Sequence, residues 1–436
     1  MWKILVLSAM ASRAFAFSNN AGIHSNSGLQ INKSSDHHQI VRLSLFNDDN
    51  VTPMVDDSIV NQAVDRRKFF KIATVLSTVT RMNPSVSLAE VIPPTTLQTA
   101  SALKLPPIGL GAWAWGDSLF WGYNPKQDND LKEVFNYAVS KDCAFFDTAE
   151  LYGIGRSETL IGKFRKEVGK DGDKVQVATK FAALPFRTKP DNVVKACRDS
   201  LKRLNPDGSD KPIDLYQIHF PNAWSNEEYW DGLAQCYEEG LVKAVGVSNY
   251  GVDALRAVHS KLEKRGIPLA TNQIQLSLLY RFPIDNGLLE ACEELNVKVL
   301  SYSPLALGFL TGKYNTDNRP SGPRLNIAKK LFDGDDEGKA FNDLLAVMKE
   351  VSENHGGVPL SQVALNWTRA KGTIPIPGAR SLKQAKQNLD TLKWDLTANE
   401  LSALDVASAK VPAYITPDKS PFPKEDINTK LKMFDS

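Results

Sequence analysis

The stretch FFDTAELYGIG, residues 145–155, begins as an apolar run typical of a buried strand and turns polar at Asp147. Tyr152 follows in the same stretch, between an apolar residue and a glycine. Asp147 could cap a helix that begins near Ser157, and Tyr152 could be a packing aromatic. The carboxylate and the phenol could equally form half of an active site. The two alternatives differ in whether neighbouring strands also end in polar side chains.

Apolar strand-like runs alternate with amphipathic helical stretches between residues 104 and 410. Eight candidate strands begin at residues 109, 143, 175, 213, 242, 270, 297 and 372 and read GLGAW, CAFFDT, VQVATK, IDLYQIHF, VKAVGVS, ATNQIQLS, VKVLSYS and GTIPIPGA. Between them, stretches such as NVVKACRDSLKRL repeat apolar residues at three- and four-residue steps, the period of a helix. Strands that alternate with such helices pair in parallel through crossovers. The sequence therefore predicts an α/β fold, a (β/α)8 TIM barrel over residues 104–410.

In that architecture the reactive side chains stand at the C-terminal ends of the strands. Asp147 ends the second predicted strand, Lys180 ends the third and His219 ends the fourth, while Tyr152 follows in a loop. Taken singly, Lys180 could extend its ammonium to water and His219 could be a hydrogen-bonded core histidine. Their shared position on one rim favours a single site.

The four side chains suit proton transfer to a carbonyl oxygen. An ammonium close to a phenol favours the phenolate, so Lys180 is expected to lower the pKa of Tyr152 and strengthen it as an acid. Asp147 would keep Lys180 charged in a dry site, and His219 would donate a hydrogen bond to the substrate oxygen. None of the four supplies a hydride, which implies a nicotinamide cofactor.

These segments resemble the aldo-keto reductases over essentially all of residues 104–410. The resemblance is carried, in order, by FFDTAELYG, VATK, LYQIH, GVSNY, NQIQLSLLYR, SYSPLALGFLTGKY and IPIPGARSLKQAKQN. It implies NADP(H)-dependent reduction of an aldehyde or ketone to an alcohol, with the hydride from the nicotinamide and the proton from Tyr152. Among family members, the sequence is most similar to plastid-directed ones, a group that includes pyridoxal reductases.

The resemblance also assigns residues. The catalytic residues would be Asp147, Tyr152, Lys180 and His219. The cofactor site would include Trp113, and at its nicotinamide end Ser248, Asn249 and Gln273 would hold the amide while Tyr302 stacks on the ring. The pyrophosphate would lie along Ser303, Pro304, Leu305, Ala306, Leu307, Gly308 and Leu310, under Lys313 and Arg324. The adenosine end would be surrounded by Gly378, Arg380, Gln384, Gln387 and Asn388. Cations at that end favour a 2′-phosphate and hence NADP, although Gln387 stands where an acidic residue is usual.

The sequence says less about the substrate pocket than about the cofactor site. Trp113, Trp115, Trp121 and Trp224 follow strands and could line an apolar pocket for aromatic or medium-sized aldehydes, or could simply cover the barrel rim. The C-terminal tail, residues 411–436, shows little likeness to the family. A small carbonyl compound is the expected partner.

Residues 1–89 are predicted to be a targeting leader, joined by a linker, residues 90–103. MWKILVLSAMASRAFAF is typical of a signal peptide, with small residues before Phe17, and a Ser- and Asn-rich segment without apolar period follows. ASRAFAF resembles the signal and transit peptide junction of proteins sent into plastids with additional envelope membranes. DRRKFFKIATVLSTVT resembles a twin-arginine signal, with Arg66, Arg67 and a cleavage site near Ala89. The leader therefore predicts that the protein is located in a plastid, a chloroplast, either in the stroma or in the thylakoid lumen. The alternative interpretation of residues 1–89 is a disordered basic N-terminal arm.

Two other functions compete with a reductase. GLGAWA at residue 109 matches a loose dinucleotide fingerprint, and Tyr137 with Lys141 match the YxxxK pair of short-chain dehydrogenases. No helix start follows those glycines, and the pair comes too early for that fold. The stronger alternative is a cofactor-binding redox sensor or regulatory subunit on the same barrel, resembling the potassium-channel β subunits. A histidine at position 219 favours the enzyme.

Composition excludes several further classes. The 436 residues carry 52 Lys and Arg against 50 Asp and Glu, a formal charge of +2, which gives no basic field for nucleic acid. No apolar run is long enough to span a membrane. DGDDEG, from Asp333, fails as a calcium loop because its twelfth position is Leu344. The four cysteines lie far apart and are expected to be buried thiols: Cys143, Cys197, Cys236 and Cys292. No metal site is expected, because the histidines after residue 90 are too dispersed: His219, His259 and His355.

Overall fold

A computed structural model of the protein describes residues 97–98, 103–221, 225–334 and 336–412. The predicted leader and most of the C-terminal tail lie outside the described residues, as does Trp224. The described chain begins with two short antiparallel strands, β1 (Leu97–Gln98) and β2 (Lys104–Leu105).

Eight further strands form one parallel sheet in chain order, and each overlaps one predicted strand. They are β3 (Leu110–Gly111), β4 (Phe145–Asp147), β5 (Gln176–Phe181), β6 (Leu215–Ile218), β7 (Val245–Ser248), β8 (Leu269–Gln275), β9 (Lys298–Tyr302) and β10 (Ile374–Pro375). The sheet closes on itself, because Gly111 bridges Gly378 in parallel and its N–H donates to the carbonyl of Pro377 at 3.0 Å. The predicted (β/α)8 barrel is confirmed.

The helices connect the strands along the outside of the barrel. The first five are α1 (Asp128–Ser140), α2 (Arg156–Glu167), α3 (Pro190–Leu204), α4 (Asn226–Glu238) and α5 (Val252–Glu263). The others are α6 (Phe282–Asp285), α7 (Leu288–Glu294), α8 (Leu325–Phe332), α9 (Lys339–Asn354), α10 (Leu360–Ala370), α11 (Leu382–Leu389) and α12 (Ala398–Lys410). In α1 the buried residues Leu131, Val134, Phe135 and Ala138 recur at helical spacing, so one stripe packs on the strands. The helices among the described residues include none long and apolar enough to cross a membrane.

One end of the barrel interior is filled by apolar side chains. Leu103 and Leu105, from the N-terminal hairpin, cluster with Phe145, Leu215 and Ile374, which begin their barrel strands. This plug closes the N-terminal ends of the strands. The C-terminal ends are left to form an open cleft.

Candidate active site

The four predicted catalytic side chains meet at the C-terminal rim. The Lys180 Nζ lies 2.7 Å from Asp147 Oδ2 and 3.4 Å from the Tyr152 hydroxyl, and the rings of Tyr152 and His219 are 5.8 Å apart. Asp147 ends its strand as predicted, whereas Lys180 is the last but one residue of β5 and His219 follows β6. The structure therefore brings all four side chains together, although β5 and β6 each end one residue away from the predicted strand end.

The glycines of FFDTAELYGIG shape the turn that carries Tyr152. Gly153 and Gly155 have φ angles of 56° and 83°, in the left-handed region that glycine adopts without strain. A Cβ on Gly153 would lie 2.5 Å from the backbone carbonyl of Gly116, so only glycine fits there. Ile154, between them, has φ 57°, which is uncommon for a β-branched residue. Asp147 does not cap α2, which begins at Arg156 without a side-chain cap.

Asp147 and Lys180 form a buried ion pair. Their side chains are 3% and 0% exposed, and Lys180 Nζ also donates to the carbonyl of Thr148 at 2.7 Å. Burial lowers the pKa of Lys180, and the charge of Asp147 opposes that shift. Burial raises the pKa of Asp147, against the opposing effects of Lys180 and of the Gln273 amide, whose Nε2 donates to Oδ1 at 2.6 Å. The pair is desolvated and satisfied by surrounding donors.

The pKa of Tyr152 shifts in the direction opposite to the one expected from the sequence. We predicted that Lys180 would lower its pKa, but burial raises the pKa of Tyr152 well above 10, and the charge of Asp147 raises it further. The two shortest hydrogen bonds of Lys180 Nζ go to Asp147 and Thr148, which leaves only the longer contact to the phenol. Burial and the charge of Asp147 therefore outweigh the acid-strengthening effect that was expected of Lys180. Tyr152 is held protonated, the form that can donate a proton.

His219 is held in the neutral state. Burial lowers its pKa well below 6.5, and the charge of Lys180 lowers it further. A neutral imidazole carries one N–H and can donate one hydrogen bond without adding charge to the site. His219 therefore suits the orienting of a substrate oxygen.

A cleft of about 1000 Å³ extends from these residues across the barrel mouth. Asp147, Tyr152 and His219 line it, whereas Lys180 lies behind the wall. All the cofactor-binding residues implied by the family resemblance line the cleft except Ala306 and Leu310, which are buried. A role of Ala306 and Leu310 in cofactor binding stays a prediction, and their burial leaves only the backbone for it.

The inner end of the cleft carries amide and hydroxyl groups that are already positioned. Asn249 Nδ2 donates to Ser248 Oγ at 3.0 Å, and its Oδ1 accepts from the Tyr302 hydroxyl at 2.9 Å. Ser248 Oγ donates to the carbonyl of Gln273 at 2.8 Å. This preorganised group can hold a carboxamide beside a flat ring.

The loop after β9 has an unusual backbone. Ser303, Ala306 and Leu307 have φ angles of 51°, 47° and 56°, and Gly308 has 99°. Non-glycine residues seldom adopt such angles, and a concentration of them is characteristic of functional segments. The backbone of this loop, rather than every side chain in it, shapes that wall of the cleft.

Cations gather at the outer end. The guanidinium groups of Arg324 and Arg380 lie 5.7 and 5.4 Å from the Trp121 ring, and Arg380 donates to the Trp121 carbonyl at 3.1 Å. Burial lowers the pKa of Arg380, and the charge of Arg324 adds to that effect. An anionic group bound here would relieve the repulsion between the two cations.

The tryptophans divide into two groups. Trp113 and Trp121 line the cleft, and Trp113 stacks on Phe120 with the ring centroids 4.9 Å apart. Trp115 is buried in the core, where its indole N–H donates to the carbonyl of Ala379 at 2.9 Å, so its predicted pocket role is wrong. The sequence analysis did not identify four other residues that line the cleft, which are Phe120, Leu151, Tyr314 and Lys330. Of these four, only Phe120 could have been identified from the sequence, because it lies in the same aromatic segment as Trp121.

Among the described residues, no group of His, Cys, Asp and Glu side chains could hold a metal ion. The four cysteines lie in the described part as buried free thiols.

The fold and the site match known proteins. The aldo/keto reductase family matches residues 107–409. The chloroplastic pyridoxal reductase of Arabidopsis thaliana is 41% identical over 326 residues, which cover 71% of this chain and 85% of that protein. The Schizosaccharomyces pombe aldo-keto reductase yakc [NADP(+)] is 28% identical over 346 residues, 73% of this chain and 96% of that protein. The glycerol dehydrogenase structure from Gluconobacter oxydans has a TM-score of 0.62 and 27% identity, covering 72% of this chain and 95% of that one.

Proposed function

Because the chain belongs to the aldo/keto reductase family, we propose that it reduces an aldehyde or ketone to an alcohol with NADP(H), using Tyr152 as the proton donor. The observation that carries the proposal is the convergence of Tyr152, His219 and the Asp147–Lys180 pair at the inner end of one cleft. These groups can orient a carbonyl oxygen and protonate it.

The cleft fits a dinucleotide in size and in chemistry. Its inner end offers Ser248, Asn249 and Gln273 for a carboxamide, and its outer end offers Arg324 and Arg380 for phosphate. Arg380 favours NADP(H) over NAD(H), because its guanidinium group could bind a 2′-phosphate, while Arg324 would reach over the pyrophosphate. The NADP(+) in the name of the fission yeast relative supports the same cofactor. When bound, NADPH supplies the hydride for the carbonyl carbon.

The residues of this chain would handle the oxygen and its proton. The Tyr152 hydroxyl donates its proton as negative charge develops on the carbonyl oxygen, and neutral His219 donates a hydrogen bond to the same atom. Lys180 lies 3.4 Å from the Tyr152 oxygen and would stabilise the phenolate that remains. Asp147 keeps Lys180 positioned and charged throughout.

Pyridoxal is the first substrate to test. The cleft wall formed by Trp113, Phe120 and Trp121 suits an aromatic ring next to the aldehyde. The name of the Arabidopsis relative points to the same compound. That relative is chloroplastic, which together with the leader sequence supports location in a plastid.

Carbonyl-dependent oxidation of NADPH by the full chain tests the proposal. Pyridoxal, methylglyoxal and 4-nitrobenzaldehyde would be compared for the natural protein, for Tyr152→Phe and for Tyr137→Phe, a tyrosine on α1 away from the cleft. Tyr152→Phe should lose turnover by about 10²- to 10⁴-fold while NADPH still binds, because only the proton donor is removed. Tyr137→Phe should be unaffected.

Two results would contradict the proposal. Unchanged turnover in Tyr152→Phe would remove the phenol from its role. NADPH binding without reduction of any carbonyl by the natural protein would favour the redox sensor instead, and the search would move from substrates to protein partners.

A further inference from the structure

The aromatic wall of the cleft is carried by one loop between β3 and α1. Trp113 stacks on Phe120 with the ring centroids 4.9 Å apart, and Trp121 meets both rings edge-on, at 5.4 Å from Trp113 and 5.0 Å from Phe120. All three side chains line the cleft. Phe120 and Trp121 come seven and eight residues after Trp113, so the shape of the wall depends on how the loop between them folds.

A buried carboxylate holds the backbone of this loop. Asp117 is 8% exposed, and its Oδ1 accepts hydrogen bonds from the backbone N–H groups of Leu119 and Phe120, each at 2.9 Å. The side chains of Asp and Asn are suited to this arrangement, in which one oxygen accepts from the backbone two and three residues further on. The carbonyl of Asp117 also accepts from the N–H of Tyr123 at 3.0 Å. Asp117 therefore fixes the stretch of backbone that carries Phe120 and Trp121.

Apolar packing gives the tip of this loop little support. Leu119, which lies between Asp117 and Phe120 in the chain, is 68% exposed, so its side chain buries little apolar surface. The carboxylate of Asp117 is buried instead, and its burial is costly unless N–H groups satisfy it. The conformation of the tip therefore depends on the hydrogen bonds to Asp117 rather than on the burial of Leu119.

The base of the loop contacts the turn that carries Tyr152. A Cβ on Gly153, which follows Tyr152, would lie 2.5 Å from the backbone carbonyl of Gly116, so the two backbones touch immediately before Asp117. The rings of Trp113 and Tyr152 are 6.4 Å apart. The wall that Asp117 holds thus lies beside the phenol that would give its proton to the carbonyl oxygen.

We infer that Asp117 is a positioning residue that sets the preference of the site for aromatic carbonyl substrates, because it holds Phe120 and Trp121 against Trp113. The inference rests on the proposed function, since the wall matters for specificity only if a carbonyl compound is reduced beside it. An aromatic ring gains binding energy from contact with such a wall, whereas a small aliphatic carbonyl compound does not. Asp117 itself touches no reacting atom in this scheme.

The charge of Asp117 also acts on Tyr152. Burial raises the pKa of Tyr152, and the charges of Asp147, Tyr302 and Asp117 raise it further. Loss of this charge would change proton transfer to any carbonyl oxygen, whether the substrate is aromatic or not. Asparagine removes the charge but keeps an Oδ1 that can accept from both N–H groups, whereas alanine removes the charge and the acceptor. Comparison of the two variants therefore separates the hydrogen bonds from the charge.

The test compares Asp117→Ala with Asp117→Asn in the full chain. The measured quantity is the selectivity ratio, which is kcat/KM for 4-nitrobenzaldehyde divided by kcat/KM for methylglyoxal, with NADPH as the reductant. The ratio should fall by about 5- to 10-fold in Asp117→Ala, the size of one aromatic contact, and stay within about 2-fold of the natural value in Asp117→Asn.

An aspartate in a similar turn elsewhere serves as the matched control. Asp207 Oδ1 accepts from the backbone N–H of Ser209 at 3.1 Å, in the loop before β6 at the opposite end of the barrel. Asp207→Ala should leave the selectivity ratio at the natural value. An unchanged ratio in Asp117→Ala would overturn the inference. An equal fall in Asp117→Ala and Asp117→Asn would also overturn it, because the effect would then come from the charge and not from the hydrogen bonds.

A second readout does not need turnover. Aromatic rings in a fixed arrangement contribute to the near-UV circular dichroism, and the contribution of this wall is the difference between the spectra of the natural protein and Trp121→Leu. It should be lost in Asp117→Ala and kept in Asp117→Asn. If the natural protein reduces no carbonyl, the proposed function fails, and this signal still decides whether Asp117 holds the wall.

A signal unchanged in Asp117→Ala would contradict the inference whatever the activity. Should Asp117→Ala not fold, Asp117→Ser is measured in its place, because a serine hydroxyl stabilises such turns more weakly than a carboxylate does. Asp117→Ser should lose part of the signal, and the full natural signal in that variant would count against Asp117 as the residue that holds the wall.

Discussion

Replacing both members of the Asp147–Lys180 pair is expected to stabilise the barrel while abolishing turnover. The two side chains are 3% and 0% exposed, and Nζ and Oδ2 are 2.7 Å apart. Burial raises the pKa of Asp147 and lowers the pKa of Lys180, so for each group the loss of water outweighs the attraction of the partner. Exchange of such a pair for uncharged side chains is often neutral or stabilises a protein by about 1–4 kcal/mol.

The single variants should behave in the opposite way. Asp147→Asn leaves the Lys180 charge buried without its partner, which should destabilise the fold by about 3–5 kcal/mol. The deficit should shrink as the pH rises towards about 10, because the buried lysine already loses its proton below the unfolded value of about 10.4. In Lys180→Met, Asp147 can take up a proton instead, so that deficit should shrink as the pH falls. The double variant should recover at least the stability of the natural protein.

Urea unfolding followed by circular dichroism at several pH values would measure these differences, with NADPH binding as evidence that each variant is folded. Asp343→Asn is the control, since the Lys339–Asp343 pair is exposed and screened by water, so its loss should leave stability nearly unchanged. A double variant less stable than either single variant would refute the reasoning. Single variants within about 1 kcal/mol of the natural protein would show that the pair is not buried as the structure has it.

Three further outcomes are expected. His219 should stay neutral when the pH falls through the ordinary histidine pKa of about 6.5, because burial holds its own pKa well below that value. An imidazole NMR titration near pH 6.5 would contradict this. Arg380→Ala should weaken NADPH binding by about 1.5–3 kcal/mol and NADH binding by less. The control is Arg319→Ala, at an exposed arginine, which should change the binding of neither cofactor. Equal losses of NADPH and NADH affinity in Arg380→Ala would argue against recognition of the 2′-phosphate. Gly246→Ala should destabilise the fold by about 1–3 kcal/mol, because the new Cβ would clash with Thr271 Oγ1. Thermal unfolding would measure this loss. The loss should be smaller when Thr271→Ala is introduced as well.

The barrel could be predicted because its signal is repeated. Each of the eight units carries its own apolar strand and amphipathic helix, so an error in one boundary leaves the pattern intact. β3 and β10 are only two residues long in the structure, yet their apolar runs were found. Closure was predicted from the number of units, but the residues that close the barrel, Gly111 and Gly378, could not be, because they depend on how the two ends of the sheet meet.

The grouping of four polar side chains at one rim was predicted, whereas their electrostatics were not. Charge and hydrogen-bonding capacity can be read from Asp147, Tyr152 and Lys180, whereas burial is a property of the folded cleft. For that reason the pKa of Tyr152 was predicted to fall and instead rises. The pocket role predicted for Trp115 was wrong for the same reason, since a position after a strand does not show whether a side chain faces the core.

The buried lysine also bears on the choice between a reductase and a sensor. Cofactor binding alone would use the cleft wall, where Ser248, Asn249 and Tyr302 are exposed to a ligand. Lys180 has no exposed surface, and its Nζ contacts only Asp147, Thr148 and Tyr152 among the described residues. Under the proposed function, this charge, which is costly to bury, would stabilise negative charge on Tyr152. That charge arises only when the phenol gives up its proton, so the arrangement is suited to turnover and would be superfluous in a protein that only binds.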